Sequence, residues 1–408
     1  MTADGASLDS GALPAIIVGL DSIPGLGVAR VLAARGTRVI GVTANPRHFA
    51  CRTRVCERVI SVADEGEELV RALEDLGGTG HGGVLIPGSD ETLLRVSAER
   101  ERLSEHHHML LPGHEVILKL ADKSRFGGLV DALGLPRPRT EVVRSRDEAL
   151  AVADKLRYPC VVKPALRTMD WVDAVGDKVS RVWEPKGLMR IYDIGAPHAD
   201  SVVVQEWIPG PESELFSCYV CFDRESTPLV TFTWRKLRQW PPDVGTSTLG
   251  VEVRNDEVRE MAVEVFQSAG LVGLGHLEVK RDVTTGKYVP VEPNVGRPTG
   301  PGFAEAAGVE LQRTAYAHAL GAELPAARRQ LYTHTKTVYF RNDLRAAATH
   351  IRSWALTPRQ WLGSLRGPKA FVLLSRTDPV PALVDFAQAI SSLPGRLLRR
   401  AGNRLRID

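Results

Sequence analysis

The sequence predicts a multidomain chain of mixed α/β and α+β architecture, and three observations carry that prediction. At 408 residues it is longer than one hydrophobic core usually serves. Its first hundred residues alternate short apolar strands with helices, the pattern of a parallel α/β sheet. From about residue 141 the pattern changes to runs of paired strands with fewer helices between them. The formal net charge of +3 is too small to imply a nucleic-acid partner.

Residues 1–13 lack a basic stretch followed by an apolar core, so they read as a flexible leader and not a signal peptide. No apolar run is long enough to predict a membrane-spanning helix. AIIVGL (15–20), a helix over 25–35 and RVIGVT (38–43) make a βαβ unit. A helix at 65–76, the strand VLIPG (84–88) and a helix at 91–103 complete a first domain over 14–113. The loop GLDSIPGLG does not spell G-x-G-x-x-G, which argues against a dinucleotide-dependent oxidoreductase. Ser89 and Asp90, in PGSDET, follow a strand's carboxyl end, where α/β sheets place ligands. They read either as substrate contacts, with Asp90 favouring an amine, or as an ordinary helix N-cap. His106, His107 and His108 read as exposed surface, because adjacent helical residues do not face one ligand.

A helix over 115–133 carries Lys123 and opens a second region, 114–203. There SRDEALAVADKL reads as a helix with a capping box of Ser145 and Glu148, and YPCVVKP and SVVVQEWIPG read as strands. A third region, 204–325, holds two more strands (ELFSCYVCFD and PLVTFTWRKL) and an amphipathic helix over 256–270 with Val258, Met261, Ala262, Val265 and Phe266 on one face. A hairpin of GLGHLEVKRD and KYVPVEPN and a helix over 303–320 complete it. Residues 326–408 form a C-terminal extension whose tail holds five arginines between Arg396 and Arg406. That tail reads as a solvated or docking helix, or as a basic helix touching a membrane surface or a partner. The odd count of five cysteines points to reduced thiols and a cytoplasmic chain. Cys218 and Cys221 lie three apart in a strand and so point to opposite faces, which disfavours a redox pair.

The hairpin carries the chemistry. If its pairing centres on Thr285, Glu278 and Glu292 lie directly opposite one another, and Asn294 shares their face by the period of two. Opposed carboxylates repel, so a positive charge belongs between them. Two carboxylates and an amide oxygen suit Mg²⁺, which completes its shell with water and phosphate oxygens; a solvent-exposed hairpin with scattered acids is the competing reading. Upstream, Lys163 ends an apolar strand, an odd place for a charge unless it meets an anion. Lys123 and Lys178 are further phosphate candidates, although a lone lysine is more often a surface charge.

The ordered series of lysine, strand lysine, strand edge, Glu and Glu-x-Asn resembles the ATP-grasp superfamily over roughly residues 14–320. The resemblance implies an ATP-grasp fold preceded by a Rossmann-like pre-ATP-grasp domain, with ATP and Mg²⁺ (or Mn²⁺ in its place) as cofactors. It implies that Lys123 and Lys163 bind phosphates, that Gln205, Glu206, Trp207 and Ile208 form the adenine hinge, and that Glu214 meets the ribose. It makes Glu278, Glu292 and Asn294 the metal ligands and Arg297 the grip on a phosphate or acyl-phosphate. The stretch ALRTMDWVDAVGDKV (165–179) departs from the compact glycine-rich phosphate loop of many members.

TWRKLRQWPPDVGTSTLGVEV (233–253) further resembles the carboxylate–amine ligase branch, which includes D-aspartate ligase-like proteins. Arg235 and Lys236 would stabilise an anionic intermediate, and Thr246 and Ser247 would meet a second substrate; a basic surface hairpin is the bland reading. Implied is an ADP-forming ligase joining a small carboxylate to an amine, an amino acid or peptide, as a homodimer. An ATP-grasp carboxylase and a non-catalytic nucleotide-binding protein are the competing functions.

Overall fold

A computed structural model describes residues 13–166, 169–176, 179–297 and 300–391. The expected leader, Lys178 and the arginine-rich tail therefore lie outside the described residues, apart from Leu13. Chain contacts divide the protein into two compact units. The first comprises Met1–Met109, Gly300–Gly302 and Phe371–Asp408, and the second Leu110–Thr299 and Phe303–Ala370. The segment expected as one C-terminal extension thus divides between them.

The first unit is built on four strands, β1 (Ala15–Val18), β2 (Val39–Thr43), β3 (Arg58–Ser61) and β4 (Val84–Pro87). All pair in parallel in the order β3-β2-β1-β4, so the chain order reverses between β1 and β4. β1 and β2 are fully buried, as strands covered on both faces must be. Ser89 caps the helix Asp90–Ala98: its hydroxyl accepts from Thr92 N at 3.1 Å, and Thr92 Oγ1 accepts from Ser89 N at 3.1 Å. The capping reading of PGSDET therefore holds for the Ser89 hydroxyl. His107 corrects the surface reading of the histidine run: it is 4% exposed, its ring lying 2.8 Å from Leu73 O and accepting from Gly83 N at 3.2 Å. His106 and His108 keep the expected exposure.

Part of the C-terminal segment is a structural piece of this unit. Asp378, fully buried, accepts from Arg30 Nε at 2.8 Å, Thr53 Oγ1 at 2.6 Å and Arg54 N at 3.0 Å. Burial alone would push its carboxyl up, but the hydrogen bonds from Thr53, Arg30 and Arg54 outweigh that and hold it below the usual carboxylate range.

The second unit contains two sheets, antiparallel throughout the strands from Thr140 to Val338. The smaller has β5 (Thr140–Val143), β6 (Cys160–Pro164), β7 (Ser180–Val182) and β8 (Val202–Glu206) in the order β5-β8-β6-β7. Two helices, Arg146–Ala153 and Pro185–Gly195, belong to its core with the fully buried Trp171. Of the expected capping box only half forms: Ser145 Oγ accepts from Glu148 N, while the Glu148 carboxylate takes Arg144 N. The helix expected over 115–133 is two, His114–Ala121 and Lys123–Ala132, because Asp122 leaves helical geometry and caps the second through Ser124 N and Arg125 N. Lys123 thereby starts a helix.

The larger sheet runs β13-β12-β9-β10-β11-β14-β15. Its strands are β9 (Leu215–Phe222), β10 (Pro228–Trp240), β11 (Thr246–Glu252), β12 (Gly273–Arg281), β13 (Tyr288–Val295), β14 (Lys336–Val338) and β15 (Lys369–Phe371). Pro290 and Pro293 fit because β13 is an edge, where a missing N–H costs no ladder bond. The helix Asp256–Ser268 buries all five residues expected on its apolar face. Cys218 and Cys221 are buried and free. Strand β14 was not expected from sequence, β15 meets the strand-and-turn expected in FVLLSRTDPVP (371–381) only at Phe371, and the helix Phe340–Arg352 is locked against β10 and β11. Its fully buried Asp343 accepts from Arg238 Nε at 2.8 Å, Thr248 Oγ1 at 3.2 Å and Trp361 Nε1 at 2.9 Å.

Replacing Asp378 by alanine leaves the Arg30 guanidinium, largely buried, without its carboxylate. We expect a loss of about 3–5 kcal/mol at pH 7, read by urea unfolding. Because the folded carboxyl lies below its unfolded value, this stabilisation is complete above the ordinary carboxylate range and disappears as pH falls through the folded value. A wild-type and variant curve that stay equally far apart at pH 2 and pH 7 would contradict the assignment.

Candidate active site

The β12–β13 hairpin turns at Asp282, whose carboxylate accepts from Thr284 N at 2.7 Å, and at Gly286, whose φ of +74° suits glycine. The strands pair Glu278 with Glu292, Leu277 with Pro293 and His276 with Asn294. Nearer the turn, Val279 pairs with Pro290, so one extra residue, Val291, bulges from the edge strand. That bulge brings the two carboxylates into direct opposition.

A lysine meets each acid. Lys236 Nζ lies 2.9 Å from Glu278 Oε1 and Lys123 Nζ 3.8 Å from Glu292 Oε1. Lys236 is 4% exposed and Lys163 7%, so neither is an ordinary surface charge. Lys163 Nζ donates to Gln205 Oε1 at 3.2 Å. Burial lowers the Lys163 ammonium to about 8, Glu292 opposing that shift and Lys123 adding to it. Arg297 Nη2 donates to Asn294 Oδ1 at 3.1 Å. Four cations (Lys123, Lys163, Lys236, Arg297) against two acids (Glu278, Glu292) leave a net of two positive charges, suited to a polyphosphate that brings a divalent cation.

No group of three or more His, Cys, Asp or Glu residues among the described residues could hold a metal. The donor set here is two carboxylates and an amide oxygen, which fits an Mg²⁺ that takes its remaining oxygens from water and phosphate and would not hold a fully protein-ligated ion. Lys123, Lys163, Gln205 and Glu292 line a cleft of about 30 Å³, water-sized as it stands.

Several expected residues are placed differently. Arg235 and Lys236, adjacent in β10, point to opposite faces. Lys236 meets Glu278, while the Arg235 guanidinium donates to Ser213 O and lies 3.8 Å from Glu214. Arg235 therefore stands apart from the opposed acids, and Glu214 lies between Arg235 and Arg281 (3.6 Å). The Glu206 carboxylate turns to Arg157, accepting from its N at 3.0 Å and Nη2 at 3.2 Å. Gln205 Nε2 donates to Thr140 Oγ1 at 2.9 Å. In the expected hinge, Glu206 N donates to Arg139 O and Trp207 N to Pro159 O, which leaves Ile208 as the residue whose amide is not committed in this way. The Trp207 ring is covered by two cations, Lys280 Nζ at 4.1 Å and Arg181 Cζ at 4.2 Å. Thr246 is exposed, and Ser247 pairs in register with Gln239 on the neighbouring strand.

Sequence reasoning missed Lys280, Arg181 and His276. Lys280 and His276 were findable, since each lies two residues from Glu278 on the same strand and so on its face. Arg181 has no such signal, because it comes from the other sheet. His276 is 5% exposed, and burial lowers its imidazole to about 4.

No family model matches the chain. It is 25% identical over 208 residues to the D-alanine–D-alanine ligase of Pseudomonas fluorescens, 47% of this chain and 60% of that relative, so the match spans less than two thirds of the relative's length. Among solved structures it resembles the L-amino acid ligase of Bacillus licheniformis, with a TM-score of 0.59 at 16% identity over 78% of each chain. It also resembles the biotin carboxylase domain of Hydrogenobacter thermophilus 2-oxoglutarate carboxylase, described in complex with MgADP and bicarbonate, with a TM-score of 0.61 at 14% identity over 78% of this chain and 72% of that one.

A charged Lys163 is what a polyphosphate needs. MgADP affinity is therefore expected to weaken as pH rises through about 8, where Lys163 loses its proton. In Lys163→Met, affinity should be lower throughout and lack that inflection. Calorimetric titration between pH 6.5 and 9.5 reads both, and an inflection retained in the variant would remove Lys163 from the phosphate site.

Proposed function

We propose that this chain, which has the ATP-grasp fold, is an ADP-forming carboxylate–amine ligase. The observation that carries the proposal is the Glu278–Glu292 opposition held between lysines on a face that also bears Asn294 and Arg297. The ligase relatives support the same reading. An acid substrate's carboxylate oxygen attacks the terminal phosphorus of ATP, the bond to ADP breaks, and an acyl-phosphate results. An amine then attacks the acyl carbon, phosphate leaves with the bonding electron pair, and the amine's proton is lost as the amide forms.

In this reading Lys123 and Lys163 neutralise the phosphates, and Arg297 stabilises charge on the transferred group. Lys123 must leave Glu292 for phosphate, which also opens the small cleft. Glu278, Glu292 and Asn294 would hold Mg²⁺, which when bound supplies further neutralisation of phosphate charge. Lys236 orients Glu278 and offsets its charge. Trp207 and Ile208 would meet the base, Glu214 the ribose, and Thr246 and Ser247 a second substrate. Free thiols and the lack, among the described residues, of a helix long and apolar enough to cross a membrane favour a cytoplasmic setting.

The resemblance to a carboxylase domain favours one second reading, in which bicarbonate is the acid. Both are tested by one assay with hydroxylamine, which replaces the unknown amine and traps an acyl-phosphate as a hydroxamate. The protein is given MgATP, hydroxylamine and single acids drawn from the proteinogenic amino acids, acetate and bicarbonate. Acid-dependent ADP with hydroxamate supports the ligase, and ADP with bicarbonate alone supports the carboxylase. AMP in place of ADP overturns both. Glu292→Gln should lower turnover by at least about 100-fold with the fold intact by circular dichroism; undiminished turnover would remove Glu292 from the site.

A further inference from the structure

Two rows of side chains cross four strands on the face that carries Glu278. One is Trp234–Ser217–Glu278–Glu292 and the next Phe232–Tyr219–His276–Asn294. Opposed residues share a face, as do residues two apart. The contacts agree: His276 meets Tyr219 at 4.9 Å and Trp234 at 6.1 Å between ring centroids, while Lys236, two residues beyond Trp234, reaches Glu278. Each row begins at a candidate metal ligand and ends on an aromatic wall that Phe303 closes, 5.8 Å from Trp234 and 5.1 Å from Phe232.

Four polar atoms in these rows have no hydrogen-bond partner among the described residues: Ser217 Oγ, Trp234 Nε1 and both ring nitrogens of His276. Their residues are 0%, 3% and 5% exposed, so solvent does not reach them freely. Buried polar groups are normally paired, because their desolvation is otherwise uncompensated. Three such side chains in adjacent register rows, next to two carboxylates, mark a place where a ligand supplies the partners.

The donors define that ligand. An indole N–H only donates, a hydroxyl can donate, and an imidazole keeps at least one N–H in either charge state. Their common complement is an oxygen group that accepts several bonds, a carboxylate or a phosphate, and because the ligase reading already gives the phosphates to Lys123 and Lys163, the carboxylate is the group left to these donors. The charged neighbours of His276 are Glu278, Lys236 and Arg297, so cations stand beside the same place. We propose that Trp234, Ser217 and His276 form the subsite that receives the carboxylate of the acid substrate and selects which acid is accepted. The proposal rests on the ligase reading and gives it a substrate-binding surface in the same rows as the candidate metal ligands.

The test uses Trp234→Phe, Ser217→Ala and His276→Phe, each of which removes the unpaired polar atoms and keeps most of the side-chain volume. The hydroxylamine assay is run with each proteinogenic amino acid and with acetate, and saturation-transfer NMR follows binding of the same acids to the MgADP-loaded protein. The expected result is a rise in acid KM of about tenfold or more for each variant, with MgADP affinity unchanged. Turnover whose acid KM is untouched by all three substitutions overturns the subsite and leaves the ligase reading standing. Wild-type protein that binds an acid without turnover, with binding lost in the variants, sinks the ligase reading and keeps the subsite. Neither turnover nor binding with any of these acids overturns the subsite. So does a fall in melting temperature with unchanged acid KM, which would mean that structural water pairs these atoms.

Discussion

Two carboxylates face each other across the β12–β13 hairpin, and the rest of the candidate site is arranged around that opposition. Like charges in opposed positions destabilise a hairpin, so the surroundings must supply cations. They do so from two directions: Lys236 from β10 of the same sheet and Lys123 from the first turn of a helix. Neither lysine is near the hairpin in sequence. The bulge at Val291 is part of the same device, since without the extra residue Glu278 would face a different neighbour and the acids would separate.

Burial then sets the chemistry of those cations. Lys163 lies near the end of the fully buried strand β6, and its ammonium loses hydration that Gln205 and Glu292 only partly replace. A buried cation short of counter-charge is a poor contributor to stability but a strong attractor of an anion. In the larger sheet, burial likewise leaves His276, Ser217 and Trp234 with polar atoms that have no hydrogen-bond partner among the described residues. Stability is recovered elsewhere, through buried carboxylates with full sets of donors. Asp343 holds a helix against the larger sheet and Asp378 holds the C-terminal segment within the first unit.

How far the sequence was legible depends on the distance over which each feature is decided. That Glu278 and Glu292 are neighbours across a hairpin could be read because a tight turn joins their strands, but the pairing centres between Thr284 and Thr285, not on Thr285, and the unforeseen bulge at Val291 is what sets the acids directly opposite. The helix Asp256–Ser268 could be read because its apolar period is local. The pairing of Arg235 and Lys236 as two active cations was misplaced, although strand alternation already separates neighbours onto opposite faces. Glu206 was expected at a nucleotide, yet its carboxylate serves Arg157, a residue from the preceding connection that no strand pattern links to it.

By itself the sequence determined the parallel first sheet, the antiparallel remainder, and the hairpin that carries Glu278, Glu292 and Asn294. These follow from periodicity, turn residues and side-chain chemistry, all of which act over a few residues. Only the tertiary structure decided which lysine meets which acid, that β14 and β15 extend the larger sheet, and that Asp378 belongs to the first unit. It also decided which polar atoms are buried without partners. Those outcomes depend on through-space proximity between segments up to about 350 residues apart, such as Arg30 and Asp378, and on desolvation, which has no meaning for a side chain until the elements around it are packed.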